Sequence, residues 1–386
     1  MSDIVLAGIG QTNVGEHWDT SLRELAHNAI QAALLDAGGL QPQALYVGNM
    51  LAPNLSRQAH LGALLADFSG LKGIEAATLE AAGASGAAAL RQGYLAIASG
   101  YVDTALVVGI EKFTDTIGAD SEAALASATD SDFEAVQGMT PTAQAALLML
   151  RYQYEYQVPV NAFEGFAIHA HAHGTGNPRA MFQKAIQPET YQKAEMVSEP
   201  LNMFDIAPMA DGAAAVLLTR RELLPPDFPH PLVRIAGSAS SGDHLAIHDR
   251  PDPLFFQAVQ LSTSKALLQA GIDLKDIQLY EYYDAYSIFA ALCLEAAGFA
   301  PRGQGWKMAM DGSIGLKGNL PCATMGGLKA RGNPGGATGV YQAVEASQQL
   351  RGIAGQNQIP QAHFALIQSL GGPAASAITH VLERMN

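Results

Sequence analysis

Cysteine is almost missing from this chain: its 386 residues include two, Cys293 and Cys322, in apolar or glycine-rich surroundings without ligand-like spacing. That excludes a disulfide framework and argues against a structural zinc, so no metal is expected. Positive charge is also scarce, with 22 Lys and Arg against 36 Asp and Glu and a net charge of −14. A nucleic acid would need a basic face for its phosphates, and no Lys/Arg cluster supplies one. Only Lys329 and Arg331 offer local charge to a small anion. No apolar run reaches the roughly 18 uncharged residues that cross a bilayer. Met1-Ser-Asp-Ile begins a strand-like segment without a basic leader or a cleavage site. The expectation is a cytoplasmic protein with no membrane insertion.

What the chain does have is length and apolar content. With 48% hydrophobic residues, it exceeds what one compact core usually holds, which predicts two core regions or a duplicated fold. Ile4-Val-Leu-Ala-Gly-Ile9 reads as a strand, and Ser21 precedes Leu22, Leu25, Ala26, Ala29, Ala33 and Leu34 at helical spacing. Leu45-Tyr-Val-Gly48 reads as a second strand, residues 58–68 as a helix, and Ala76-Ala-Thr-Leu-Glu80 as a third strand. A helix over 84–99 leads to the apolar run Thr104-Ala-Leu-Val-Val-Gly109, of the kind buried in a sheet covered on both faces. The alternation predicts a mostly parallel, layered α/β core.

Between the third strand and that helix lies Glu80-Ala-Ala-Gly-Ala-Ser-Gly86, centred on Gly83. Small residues suit a tight strand-to-helix passage, where free N–H groups make an anion or oxyanion site. Close helix packing accounts for the same composition, and the sequence leaves both readings open.

Residues 114–204 break the rhythm with a loop over 115–132, a helix over 142–156 and a Pro/Gly-punctuated tail. They read as an inserted loop or lid domain. His169, His171 and His173 recur at i, i+2 and i+4, so within a helix they cannot share one face and hold a metal. Asp211-Gly-Ala-Ala-Ala-Val-Leu-Leu218 resumes the core, and the second half then repeats the first. Leu232-Val-Arg-Ile-Ala-Gly237 mirrors the first strand, Ile277-Gln-Leu-Tyr-Glu281 the second, and Phe364-Ala-Leu-Ile-Gln368 the run at 104–109. Gly332-Asn-Pro-Gly-Gly-Ala-Thr-Gly339 opens a helix through Leu350, as the stretch at 80–86 opens its own. A duplicated fold brings two glycine-rich helix starts to one cleft. Without a Walker lysine or a G-x-G-x-x-G pattern, they suit carbonyl or thioester oxygens better than a nucleotide phosphate.

Several motifs, in order, resemble the thiolase superfamily, and within it the sterol-carrier-protein-type thiolases and thiolase-like lipid-transfer proteins. They are Glu80-Ala-Ala-Gly-Ala-Ser-Gly86, Gly109-Ile-Glu-Lys-Phe-Thr114, Pro208-Met-Ala-Asp-Gly-Ala-Ala-Ala215, Tyr283-Asp-Ala-Tyr286, the run from Gly326 to Gly339, and Gln349-Leu-Arg-Gly352. The resemblance covers nearly the whole chain. It implies a five-layered αβαβα fold of two duplicated halves with an inserted loop domain. The halves fall at 1–115 with 206–225 and at 226–386, and the loop domain at 116–205. It also implies a homodimer and a coenzyme A thioester as substrate, bound near Met139, Ala207, Gly326 and Gly327.

The family's chemistry, carried over by position, does not match. Gly83 stands where the resemblance puts a nucleophilic cysteine, Asn333 where it puts the activating histidine, and Tyr283 where it puts histidine or asparagine. Ser369-Leu-Gly-Gly372 replaces a Cys-x-Gly-Gly. Without a thiolate the acyl-enzyme route is closed. Gly83 is expected to leave open the space of a cysteine sulfur while its backbone N–H, with that of Gly371, keeps an oxyanion hole. Tyr283 is the expected phenolic donor, and Tyr341, one turn into its helix, a second acid or base unless it is core. Tyr282 and Tyr286 read as structural. Such a site suits aldol or retro-aldol cleavage of a β-hydroxyacyl-CoA, as in thiolase-fold aldolases that act with a zinc-ribbon and OB-fold partner. The alternatives are a non-catalytic CoA-binding scaffold subunit and an acyltransferase with an unidentified nucleophile, for which Ser85 with His171 is the available pair.

Overall fold

The computed structural model describes residues 3–385. In chain order the first half holds β1 (Ile4–Gln11), α1 (Leu22–Asp36), β2 (Ala44–Gly48), α2 (Ala52–Leu55), α3 (Leu61–Phe68), β3 (Glu75–Leu79), α4 (Ser85–Ala98) and β4 (Thr104–Glu111). A stretch of mostly helical pieces follows: α5 (Ala119–Ala126), α6 (Pro141–Tyr156), α7 (Glu164–Gly174), α8 (Pro188–Gln192) and the hairpin β5 (Met196–Ser198) and β6 (Leu201–Asn202). The chain then forms β7 (Gly212–Arg220), β8 (Val233–Gly242), α9 (Gln257–Ala270), β9 (Leu279–Glu281), α10 (Ser287–Ala297), α11 (Gly305–Met310), α12 (Thr338–Arg351), β10 (Phe364–Gly371) and β11 (Ser376–Arg384).

Local rules explain many of these boundaries. Ser21 accepts from the Glu24 N–H while Glu24 reaches back to the Ser21 N–H, a capping box that starts α1 ahead of its buried stripe Leu22, Leu25, Ala26, Ala29, Ile30 and Ala33. The loop expected over 115–132 instead contains α5. Gly118 precedes it, and Asp120 and Glu122 fall in its first turn, where acidic side chains favour a helix.

The main strands run in the order β3-β2-β4-β7-β1-β8-β11-β10-β9. From the centre outward, β1-β7-β4-β2 and β8-β11-β10-β9 repeat one order, so the duplication is explicit. The place of β3 is taken in the second half by an isolated parallel bridge between Tyr280 and Cys322. Between the strands of the two halves, one residue pair, Val5 with Arg234, is in register.

The expectation of a mostly parallel sheet is corrected. β2 pairs in parallel with β3 and β4, and β9 with β10, while the other neighbouring pairs are antiparallel. β11 follows β10 through a tight turn, which permits no other direction, and β7 occupies the equivalent place after the long excursion.

α1 packs on β1, β7 and β4, and α9 on β8 and β11. α4 and α12 lie against each other between the two halves, touching strands of both. The result is a five-layered αβαβα fold. Two central helices can pack this closely only without side chains at the crossing. A methyl on Gly86 of α4 would stand 2.8 Å from the Gly336 carbonyl oxygen, and one on Gly339 of α12 2.8 Å from the Ala87 Cα.

α10 was not legible in the pattern, because every one of its residues is buried and no polar face marks a period. Among the described residues, no helix is long and apolar enough to cross a membrane.

Candidate active site

Three turns, two of them at strand ends, converge on one cavity of about 240 Å³. The first leads from β3 into α4. Ala82 takes a left-handed φ of +50°, a strained conformation for a residue with a Cβ. Ser85 closes the turn by donating from Oγ to the Ala82 carbonyl (2.6 Å) and accepting from the Ala81 N–H (2.9 Å). Gly83 lines the cavity, and its N–H has no acceptor among the described residues.

The second turn follows β9. Tyr283 enters the cavity wall, 7% exposed, and its hydroxyl has no hydrogen-bond partner among the described residues. Burial pushes this phenol above its ordinary range, so it is a proton donor at neutral pH. Asp284 turns the other way. Its carboxylate accepts from the Leu328 N–H (2.8 Å) and the Lys329 N–H (3.4 Å), tying this turn to the glycine-rich segment behind it.

The third turn opens α12. Asn333 lines the cavity, with its Oδ1 accepting from the Gly335 N–H (3.1 Å) and its Nδ2 left without a partner among the described residues. Glu111, fully buried, takes the N–H groups of Gly336 (3.0 Å), Met50 (2.9 Å) and Leu51 (3.0 Å) and the Asn49 amide (2.8 Å). It pins the start of α12 to the ends of β2 and β4. Burial raises its carboxyl to about 7 against those four donors.

The space at Gly83 is not open, which corrects the expectation. A methyl there would fall on the Tyr283 hydroxyl and stand 2.8 Å from both the Tyr283 Cζ and the Leu370 carbonyl oxygen. The phenol occupies the volume that a side chain at 83 would need.

Gly83, Tyr283, Asn333 and Ala207 all line the cavity. Other expected site residues do not. Tyr341 lies in the core, its hydroxyl 3.1 Å from Thr12 Oγ1 and its ring under the Arg331 guanidinium at 4.8 Å. Ser369 is fully buried and donates to Gln342 Oε1 (2.6 Å). Gly371 backs the turn at Ala81, and its neighbours Gly372 and Pro373 line the cavity in its place. Gly327 packs behind Asp284, where a methyl would meet the carboxylate at 2.5 Å, and Gly326 packs against Gly174. Met139 stands just before the lining residues Pro141 and Thr142.

The pair Ser85 and His171 is also not assembled, since Ser85 is committed to its turn and His171 faces a different cavity. His169, His171 and His173 go to three separate carbonyls, of Ala309, Lys184 and Ala323.

Tyr286, read as structural, lines the cavity with its hydroxyl 3.1 Å from Thr142 Oγ1, and burial raises it to about 12. Glu122 of α5 lines it too, the one carboxylate among the lining residues. Neither Thr142 nor Glu122 stands near a recognisable motif in sequence, and both come from the segment that broke the α/β rhythm.

The chain matches the family model "Thiolase, N-terminal domain" over residues 4–222 and "Thiolase C-terminal domain-like" over residues 239–384. It is 37% identical over 386 residues to an acetyl-CoA acetyltransferase of Methanothermobacter thermautotrophicus, covering 100% of both chains. To a 17-hydroxy-3-oxo-4-pregnene-20-carboxyl-CoA lyase of Mycobacterium tuberculosis it is 26% identical over 97% of this chain and 98% of that one. A solved chain of the "Ltp2-ChsH2(DUF35) aldolase" superposes with a TM-score of 0.84 at 24% identity, over 99% of this chain and 98% of that one, which shows the shared fold.

Proposed function

The chain belongs to the thiolase family, and from that premise we propose that it binds an acyl-coenzyme A thioester and works on a carbon–carbon bond without a cysteine, as a (retro-)aldolase of β-hydroxyacyl-CoA. The observation that carries this reading is the Tyr283 hydroxyl, buried, unpartnered among the described residues and standing in the volume of the missing side chain at 83. A thioester oxygen set against that hydroxyl and the Gly83 N–H is polarised where enolate charge develops.

In the cleavage direction, Glu122 accepts the β-hydroxyl proton. The β-oxygen becomes a carbonyl as the Cα–Cβ bond breaks, and the electron pair moves into the thioester enolate. Protonation at Cα then frees a shortened acyl-CoA, and the aldehyde or ketone leaves. A phenol held protonated by burial suits a donor to the enolate oxygen rather than a base.

The test is release of an aldehyde or ketone from β-hydroxyacyl-CoA thioesters. Tyr283→Phe should lower kcat by about 10²–10³, the usual loss for one oxyanion donor. Unchanged turnover in Tyr283→Phe refutes the role. A protein that binds CoA but leaves every such thioester intact is instead a scaffold subunit. Similarity to the Methanothermobacter acetyltransferase favours a third, acyl transfer; labelled acetyl exchange between acetyl-CoA and CoA would establish it.

A homodimer fits the exposed edge of β3, whose Glu75, Ala77 and Thr78 are open and whose backbone on that side is unpaired among the described residues. The lyase relative and the two-component name of the aldolase neighbour support an accessory partner, proposed here as a zinc-ribbon and OB-fold protein.

A further inference from the structure

A second cavity, about 570 Å³, shares with the first only Ile206, Ala207 and Pro208. Phe182, Ile186, Val197, Met203 and Phe204 give it apolar walls, and Val197 and Met203 are more than half exposed beside it. Its one buried charge is Lys329, 2% exposed. The Lys329 Nζ donates to the carbonyls of Phe204 (3.2 Å) and Asp205 (2.7 Å).

An ammonium carries three donors, and the third has no partner among the described residues. No carboxylate lies within ion-pair distance of it there either. His171 lies in the same wall, its ring 5.8 Å from Phe182 and 5.6 Å from Phe204, with Nδ1 turned to the Lys184 carbonyl. The carboxylates of Asp205 and Asp284 favour the ammonium from beyond contact distance, but a buried ammonium with an unused donor is still costly, and a ligand anion would relieve it with a charge-assisted hydrogen bond.

The geometry points to a binding site for an amphipathic carboxylate, its anionic end on Lys329 and its hydrocarbon body along Phe182, Met203 and Phe204. Burial lowers the Lys329 ammonium to about 8, which leaves it cationic at neutral pH. Because Lys329 also holds the carbonyls that precede Ile206, occupancy of this site bears on a wall of the first cavity. Binding here does not depend on the aldolase reading.

Calorimetric titration of the full chain with octanoate, and with octan-1-ol as the uncharged chain-matched probe, tests it. Octanoate should bind at least about tenfold more tightly than the alcohol, the value of one charge-assisted hydrogen bond. Lys329→Met should erase that preference and leave the alcohol unaffected. Should Lys329→Met fail to fold, Met203→Asp keeps the test, because Met203 is 54% exposed and the new carboxylate would repel octanoate at the mouth. Equal binding of acid and alcohol by the unmodified chain overturns the proposal, as does unchanged octanoate affinity in Met203→Asp. Displacement of octanoate by CoA, mole for mole, overturns it too, since the cavity would then belong to the coenzyme.

Discussion

Gly83→Ala is the most informative single perturbation of this molecule. The added methyl would stand 2.8 Å from the Leu370 carbonyl oxygen and from the Tyr283 Cζ, and nearer still to the hydroxyl. Tyr283 is buried, so its ring cannot move aside without displacing packed neighbours, and overpacking of this kind costs about 1–3 kcal/mol. Tyr283→Asn removes the ring and with it two of the three close contacts, while the Leu370 carbonyl stays. The cost of Gly83→Ala should therefore fall by at least half in the Tyr283→Asn background, a coupling of about 0.5–2 kcal/mol. Urea unfolding of the four proteins of the cycle, read as midpoints at constant slope, measures it. An equal cost in both backgrounds would refute the claim that the phenol and a side chain at 83 compete for one volume. The same steric argument predicts that Gly83→Cys alone gives no acyl-enzyme, since the sulfur has no room until Tyr283 is shortened.

Tyr341→Phe should lose the contact with Thr12, costing about 1 kcal/mol of stability, and leave turnover unchanged, the reverse of Tyr283→Phe; a large loss of activity would return Tyr341 to the site. Burial holds His173 and His380 neutral, lowering each to about 4. Between the unfolded value near 6.5 and that folded value, the unfolded chain binds protons the folded one does not. Stability present above about pH 6.5 is therefore lost as the pH falls toward 4, roughly 2 kcal/mol per histidine by pH 5. His380→Asn should remove about half of that drop between urea titrations at pH 7 and 5, and an undiminished drop would count against the burial argument. Ala77→Asp on the exposed edge of β3 should convert the proposed dimer to a monomer in size-exclusion chromatography, because like charges then face each other across the paired edge; an unchanged elution volume would place the dimer contact elsewhere.

Much of the fold was legible because it rests on local and repeated patterns. The apolar runs at 4–9, 104–109, 232–237 and 364–368 all lie in strands of the main sheet, and their repetition announced the two halves that β1-β7-β4-β2 and β8-β11-β10-β9 display. Less of the site was legible. Gly83, Tyr283 and Asn333, which line the cavity, could be singled out because each sits in a recognisable motif at a turn. Glu122 and Thr142 escaped notice, since a polar residue outside any motif gives no sign of which wall it will face, and Tyr286 reads as structural in the sequence although it lines the cavity. Strand direction was misjudged for a similar reason: alternation of strands and helices does not say on which side of its neighbour a returning strand pairs.

The sequence by itself determined that this chain folds as a duplicated, layered α/β protein and that residue 83 offers no nucleophile. Those properties follow from hydrophobic period and residue identity, which a single chain records position by position. Only the tertiary structure decided what stands in the nucleophile's place. Tyr283 is 200 residues from Gly83 along the chain, and whether its hydroxyl fills that volume, faces it across a gap or points away depends on how β9, α4 and α12 pack, a matter of ångströms that no local pattern encodes. The same packing put Tyr341 in the core and left Lys329 buried, with no carboxylate in ion-pair contact among the described residues.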